Sequence, residues 1–192
     1  VATWRPAPIA NDDVDRYVRI LFDLDPVRAT DTASTAEELQ EAHDRAIGLQ
    51  RHMSAHGWPV PAIGMSGNGY HLQYRTALVN TPETREQLTA IYAGLHRRFS
   101  DDVVSFDRTV RNPGRICTLY GTTKRKGAGT TDRPHRKAVI AIPHDWKQVH
   151  PRQVERLANA YASESKRKPI QAAQEARRGA FAAGAGDYAT LD

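Results

Sequence analysis

The chain has 192 residues, enough for one domain or two tightly joined lobes, and folding at this length buries roughly two-thirds of the unfolded surface. Apolar residues make up 40%, charged residues 26%, and mean hydropathy is −0.61, which excludes fibrous and disordered classes. A single cysteine, Cys117, excludes an internal disulfide and a zinc site built from several thiolates. No signal-peptide pattern follows Val1, so a reducing, intracellular setting is expected. Residues 57–74 lack Asp, Glu, Lys and Arg, but Gly57, Pro59, Pro61, Gly64, Gly67 and Gly69 break them up and exclude a bilayer helix.

The formal charge of +5 is unevenly spread. Residues 1–114 hold 12 Arg, no Lys and 15 acids, whereas residues 115–178 hold 15 Lys plus Arg against five acids. The second half is the electropositive one, suited to a phosphate backbone and equally to a solvated basic surface.

In chain order, residues 17–24 read as an apolar strand. Residues 30–53 read as a helix with Leu39, Ala42, Ala46, Leu49 and Met53 on one face, a Ser34/Glu37 capping box and Gly57 as the stop. Two strands follow at 60–65 and 70–75. A second helix over 82–99 has Thr81 as cap, Pro82 at the first position and a stripe of Leu88, Ile91, Tyr92, Leu95 and Phe99. Strands are expected at 103–107, 116–120 and 138–142, and a third helix from 151 to about 163 with Val154, Leu157, Ala158 and Tyr161 inward. The leading β-α-β-β-α-β order is the ferredoxin-like one and implies a mixed α+β domain with helices packed on one side of the sheet. Residues 1–165 form the expected core. Residues 166–192, rich in Lys, Arg, Ala and Gly, read as a C-terminal helix or linker toward a further domain.

Four features carry chemistry. In Arg19-Ile20-Leu21-Phe22-Asp23-Leu24-Asp25-Pro26, strand alternation sends Asp23 and Asp25 to the same side, where two carboxylates repel unless a cation lies between them. The same pair also fits a simple turn at Asp25-Pro26. Ser66-Gly67-Asn68-Gly69-Tyr70-His71-Leu72 is either a backbone nest for phosphate oxygens, with Ser66 and Asn68 as donors and His71 close behind, or a tight hairpin. Val103-Val104-Ser105-Phe106-Asp107 ends another apolar strand in an acid, a third carboxylate of the kind two bridged metal ions require. Finally, Asn112 to Arg115, Tyr120 to Gly127 and Arg133-Pro134-His135-Arg136 place basic residues on loops, suited to a triphosphate or a template backbone, or simply to a basic hairpin.

Together and in this order, these residues resemble the archaeo-eukaryotic primase superfamily, in particular the primase-polymerase domains of phages, plasmids and mobile elements. Phe22-Asp23-Leu24-Asp25 resembles that family's hydrophobic D-x-D, Gly69-Tyr70-His71 its small-x-His, and Phe106-Asp107 its hydrophobic-Asp, within residues 17–142. The resemblance implies a two-lobed primase core with an RRM-like catalytic sheet. It assigns Asp23, Asp25 and Asp107 to two Mg²⁺ or Mn²⁺ ions, with His71 completing the catalytic set on the incoming triphosphate. By position, Ser66, Asn68, Gly69, Arg115, Lys126 and Arg133 join the nucleotide site, and Lys124, Arg125, Arg136 and Lys137 contact nucleic acid. The implied activity is template-directed synthesis that starts and extends primers on single-stranded DNA from NTPs or dNTPs, in the cytoplasm of a prokaryotic cell or of a phage or plasmid host. No zinc and no membrane contact is expected. The sequence carries no helicase motif, so a helicase would be a fused or separate partner. Tyr120 or Trp146 is available to stack on template bases.

Other readings remain at this stage. A gap-filling or end-joining polymerase domain extends without initiating, and a non-catalytic RRM-like nucleic-acid-binding module explains the charge but leaves three acids unused. A nicking endonuclease lacks its His-x-His pair.

Overall fold

A computed structural model describes residues 10–166. Strand β1 (Arg16–Pro26) is an interior strand of the sheet. From Ile20 onward its burial alternates, with Ile20, Phe22, Leu24 and Pro26 on the covered side and Leu21, Asp23 and Asp25 on the other. A register shift between Tyr17 and Arg19 lets Tyr17 also point inward, three residues before Ile20.

Helix α1 (Ala36–Ala55) starts later than its apolar pattern predicts. Its capping box is Thr35 with Glu38, not Ser34 with Glu37: the Glu38 N–H donates to the Thr35 hydroxyl and the Thr35 N–H donates to the Glu38 carboxylate. Ser34 is diverted, its N–H donating to Asn68 Oδ1 at 3.0 Å and its hydroxyl to the Asn68 carbonyl. Gly57, at φ 78°, follows the end of the helix as the sequence predicts.

Strands β2 (Ala62–Met65) and β3 (Tyr70–Val79) form a hairpin, β2 beginning only after Pro59 and Pro61, which lack ladder N–H groups. Helix α2 (Pro82–Phe99) matches its predicted limits, with Thr81 accepting the Thr84 N–H. Strand β4 (Val104–Phe106) then pairs with β1. The five-stranded sheet has the order β4-β1-β3-β2-β7, where β7 is Val139–Ala141, and every neighbouring pair is antiparallel. Its first four strands with α1 and α2 realise the predicted ferredoxin-like, RRM-like order. Strands β5 (Thr123–Lys124) and β6 (Arg136–Lys137) form a separate two-stranded ribbon. The strand predicted over 116–120 does not form. That segment is irregular and leaves Ile116 and Leu119 exposed, because Tyr120 reaches across the sheet instead of pairing at its edge.

Phe22 is the centre of the core. It is fully buried, with the rings of Trp58, Tyr74, Tyr92 and Phe106 all between 5.3 and 6.0 Å away. The third helix, described to residue 166, docks its predicted inward residues Val154, Leu157, Ala158 and Tyr161 on the same core. Tyr161 lies where a side chain on Gly94 of α2 would stand, and its hydroxyl hydrogen-bonds His52 Nε2 at 2.6 Å. Of the predicted tail, only residue 166 falls among the described residues. No helix among them is long and apolar enough to cross a membrane.

Burial, reinforced by the charges of His56 and Arg98, pushes His52 down to about 4. The folded state therefore holds it neutral while the unfolded chain protonates near 6.5, so this contribution to stability is complete above pH 6.5 and is lost as pH falls toward 4. Thermal melts across this window are expected to show Tm falling with pH, and His52→Gln is expected to flatten that fall; an unchanged slope in the variant would refute the assignment.

Candidate active site

The side of the sheet opposite α1 and α2 carries the polar residues. Cross-strand pairs set them side by side: Asp23 faces His71 and Leu21 faces Gln73 across β1 and β3, and Asp25 faces Ser105 across β1 and β4. Asp107 follows β4 directly, and its N–H donates to the Asp23 carbonyl at 2.9 Å. The backbone thus gathers all four predicted catalytic residues at one end of three adjacent strands.

His71 is buried and held from both sides. Its Nε2 lies 3.3 Å from Asp23 Oδ1, and its Nδ1 lies 2.7 Å from the Tyr120 hydroxyl. Arg19 donates to Gln73 Oε1 at 3.3 Å, and Gln73 Nε2 donates to the Tyr120 oxygen at 2.9 Å. With that oxygen accepting from Gln73, the phenol hydrogen is free to be donated to His71 Nδ1, and in that arrangement the ring carries a proton on Nε2. Burial pushes the Tyr120 hydroxyl up to about 12, so it retains the hydrogen this arrangement needs. Gly64 makes the approach possible, because a Cβ there would come within 2.5 Å of the Tyr120 oxygen.

The two acids of β1 differ. Asp23 Oδ1 is buried and accepts no hydrogen bond among the described residues. Asp25 packs against Gly69, where any Cβ would strike its carboxylate, and Arg28 lies 3.9 Å from its Oδ1. Burial and the charge of Asp23 raise the Asp25 carboxyl above the ordinary range, against the opposing pull of Arg28, His71 and Lys126. Asp107 is turned aside: its carboxylate accepts from the Thr109 N–H at 2.7 Å and the Thr109 hydroxyl at 3.0 Å, opening a 3₁₀ turn, and Arg115 sits 3.7 Å from its Oδ2. Accordingly, no three His, Cys, Asp or Glu side chains among the described residues already converge as metal ligands. A hard divalent cation fits the Asp23 and Asp25 pair, which offers an orphaned buried oxygen and two mutually repelling carboxylates. Asp107 joins such a set only by releasing Thr109.

The predicted binding residues separate into groups. Lys124 and Arg115 line a cavity of about 250 Å³ together with Asp23 and His71, and Lys126 acts electrostatically on Asp25. Ser66 and Asn68 are buried in a tight two-residue hairpin turn: the Ser66 N–H donates to the Gly69 carbonyl, and Gly67 has φ 104°. Asn68 Nδ2 has no hydrogen-bond partner among the described residues. Arg133 makes a two-pronged ion pair with Glu38 at 2.7 and 2.8 Å, and Arg136 donates to the Ser34 carbonyl at 2.6 Å, so both hold their loop to the start of α1. Arg125 and Lys137 are exposed. Sequence reasoning missed Gln73 and the anchoring role of Tyr120. Gln73 was visible as the residue two along from His71 on the same strand face, whereas nothing local marks Tyr120.

No family model matches the sequence, and no curated protein matches it. Among solved structures, the chain is similar to the one described as the crystal structure of primase RepB′, with a TM-score of 0.41 and 19% sequence identity, over 84% of this chain. The chain spans 46% of that protein's length.

Two outcomes follow from this geometry. Asp25→Asn removes one of two repelling charges and is expected to raise Tm at pH 7 in EDTA; a lowered Tm would show that the carboxylate is satisfied as it stands. Tyr120→Phe strands His71 Nδ1 and Gln73 Nε2, at a cost of about 1–3 kcal/mol. The His71 ¹⁵N resonances should then shift from the Nε2–H tautomer toward a mixture, and unchanged resonances would remove Tyr120 from the relay.

Proposed function

We propose that the chain is the catalytic domain of a primase-polymerase, a nucleotidyltransferase that starts and extends strands on single-stranded DNA from NTPs or dNTPs. The observation that carries this reading is the meeting of Asp23, Asp25 and the Asp107 backbone with the buried His71, held between Asp23 and Tyr120, on the open face of an RRM-like sheet. A module that only bound nucleic acid would have no use for a buried carboxylate oxygen lacking any hydrogen bond.

In this reading Asp23 and Asp25, with Asp107 once it leaves Thr109, hold the divalent ions. Bound Mg²⁺ or Mn²⁺ supplies acidification of the attacking 3′-hydroxyl and neutralisation of phosphate charge. His71 donates its Nε2–H to a phosphate oxygen of the incoming nucleotide, and Gln73 and Tyr120 keep that proton in place. Lys124 and Arg115 offset the charge of the triphosphate within the shared cavity. The 3′ oxygen bonds to the α-phosphorus as the α–β bridge breaks, pyrophosphate leaves, and the hydroxyl proton passes to water. Exposed Arg125 and Lys137 are placed to meet the template backbone.

The test is incubation with unprimed single-stranded DNA, labelled nucleotides and Mn²⁺ or Mg²⁺, resolving products from dinucleotides upward. The parent is expected to make them, and Asp23→Ala/Asp25→Ala to lose about 10³-fold or more. Extension of a supplied primer without initiation would identify a gap-filling type of polymerase. Retained DNA binding with no synthesis in either assay would overturn the catalytic reading.

A further inference from the structure

Asp107 reaches the candidate site with its backbone but not with its carboxylate. Its N–H donates to the Asp23 carbonyl at 2.9 Å, yet Asp107 does not line the cavity of about 250 Å³ that Asp23, His71, Lys124 and Arg115 share. Thr109 is what holds the carboxylate aside. The Thr109 N–H donates to Oδ1 at 2.7 Å and the Thr109 hydroxyl to Oδ2 at 3.0 Å, so a single residue occupies both oxygens. Arg115 adds a longer ionic contact, 3.7 Å from the same Oδ2.

The backbone around this clasp is fixed from both sides. The Asp23 carbonyl anchors Asp107, and the buried Val110 anchors the 3₁₀ turn Thr109–Arg111 to the core. Arg111 tightens the same turn, donating to the Arg108 carbonyl at 2.8 Å and to the Thr89 hydroxyl at 3.2 Å. What is left to move is the Asp107 side chain. Turning it toward Asp23 breaks two hydrogen bonds to a charged acceptor, a class about twice as strong as bonds between neutral partners. The opposing pull comes from the Asp23 and Asp25 pair, where Asp23 Oδ1 is buried and accepts no hydrogen bond among the described residues. A cation seated on that pair gains a third carboxylate only against the Thr109 bonds, so any ion that recruits Asp107 is held more weakly by the free energy of the clasp.

We propose that Thr109 is a positioning residue that keeps Asp107 in reserve and thereby sets the affinity of the site for its more weakly held divalent ion. The proposal rests on the metal assignment of the nucleotidyl-transfer reading and adds to it a residue that acts only through Asp107. Its sign separates it from a structural role. A residue that merely started the 3₁₀ turn would lower Tm on losing its hydroxyl and would leave metal binding unchanged or weakened. A clasp lowers Tm in EDTA and, in the same variant, tightens metal binding.

The test needs no nucleotide. Mn²⁺ is titrated into the full chain and into Thr109→Val, which removes the hydroxyl but keeps the branched side chain, with free Mn²⁺ followed by electron paramagnetic resonance and folding checked by circular dichroism. Wild type is expected to show one tighter and one weaker site, and Thr109→Val to tighten the weaker one by about tenfold, as loss of one hydrogen bond to a charged group implies. Thr109→Ser, which restores the hydroxyl, is expected to return wild-type affinity. Asp107→Asn is expected to lose the weaker site, and adding Thr109→Val to it should then change nothing, because the effect runs through Asp107. Unchanged or weakened Mn²⁺ binding in Thr109→Val, tightening that survives in Asp107→Asn/Thr109→Val, or no Mn²⁺ binding by wild type would each overturn the proposal. The two readings fail separately: Thr109-dependent Mn²⁺ binding in a chain that synthesises nothing would sink only the catalytic reading, and synthesis by a parent whose Mn²⁺ binding ignores Thr109 would sink only the clasp.

Discussion

The register of β1 is the constraint on which the rest depends. Phe22 points into a cluster of four aromatic rings and Asp23, the next residue, points out of the opposite face. A slip of one residue would expose a phenylalanine whose burial is worth about 1.5–3 kcal/mol and push a carboxylate into an aromatic interior, at a cost of several kcal/mol. The Tyr92 hydroxyl, donating to the Leu21 carbonyl at 2.5 Å, pins the same stretch from α2. Once β1 is fixed, ladder pairing does the remaining placement: β3 can bring only His71 beside Asp23, and β4 can deliver only Asp107 to the Asp23 carbonyl. The core therefore decides which polar groups meet on the far side of the sheet.

A second layer, residues 112–138, closes over that face with little regular structure of its own. What holds it is a set of specific ties: Arg133 to Glu38, Arg136 to the Ser34 carbonyl, Gly127 against Asp31, and Tyr120 across Gly64 to His71 and Gln73. The hydrogen bond from Arg133, more than any other factor, keeps Glu38 below the usual carboxylate range, so this tie is ionic as well as geometric. Arg133 and Arg136, which the sequence offers to a ligand, tie this loop to the start of α1, and Lys124 and Arg115 line the cavity beside Asp23.

What was legible in the sequence was local. Helix α2 declared itself from Thr81-Pro82 and one uninterrupted stripe, and the alternation of Phe22, Asp23, Leu24 and Asp25 placed both acids correctly. The α1 cap was ambiguous because Ser34/Glu37 and Thr35/Glu38 fit the same pattern, and the choice was made by Asn68, 34 residues away. Ile116, Leu119 and Tyr120 looked like strand because they are apolar, yet the tertiary role of Tyr120 depends on partners 47 and 49 residues distant. The clustering of arginines was hidden by averaging. Residues 1–114 carry more acids than arginines overall, but the fold brings Arg16, Arg19, Arg85 and Arg111 together and sends most of the acids elsewhere.

That redistribution gives the open face an electrical polarity along its length. At one end stand Asp23 and Asp25, already in conflict, and a phosphate brought beside either meets a repulsion of about 4 kcal/mol per pair of unit charges at 4 Å and an effective dielectric of 20. On the proposed reading, Lys124, Arg115 and a divalent cation would offset that repulsion for a polyphosphate. At the other end Arg16, Arg19, Arg85 and Arg111 line cavities that no Asp or Glu lines, although Arg85 pairs with Asp12, so the field there has the opposite sign. Arg115, in contact with Asp107 and bordering both these cavities and the one beside Asp23, stands where the field changes sign. Under the proposed nucleotidyl-transfer reading, that asymmetry would set a 3′-hydroxyl and a triphosphate on different parts of the face, which an evenly basic sheet face would not do.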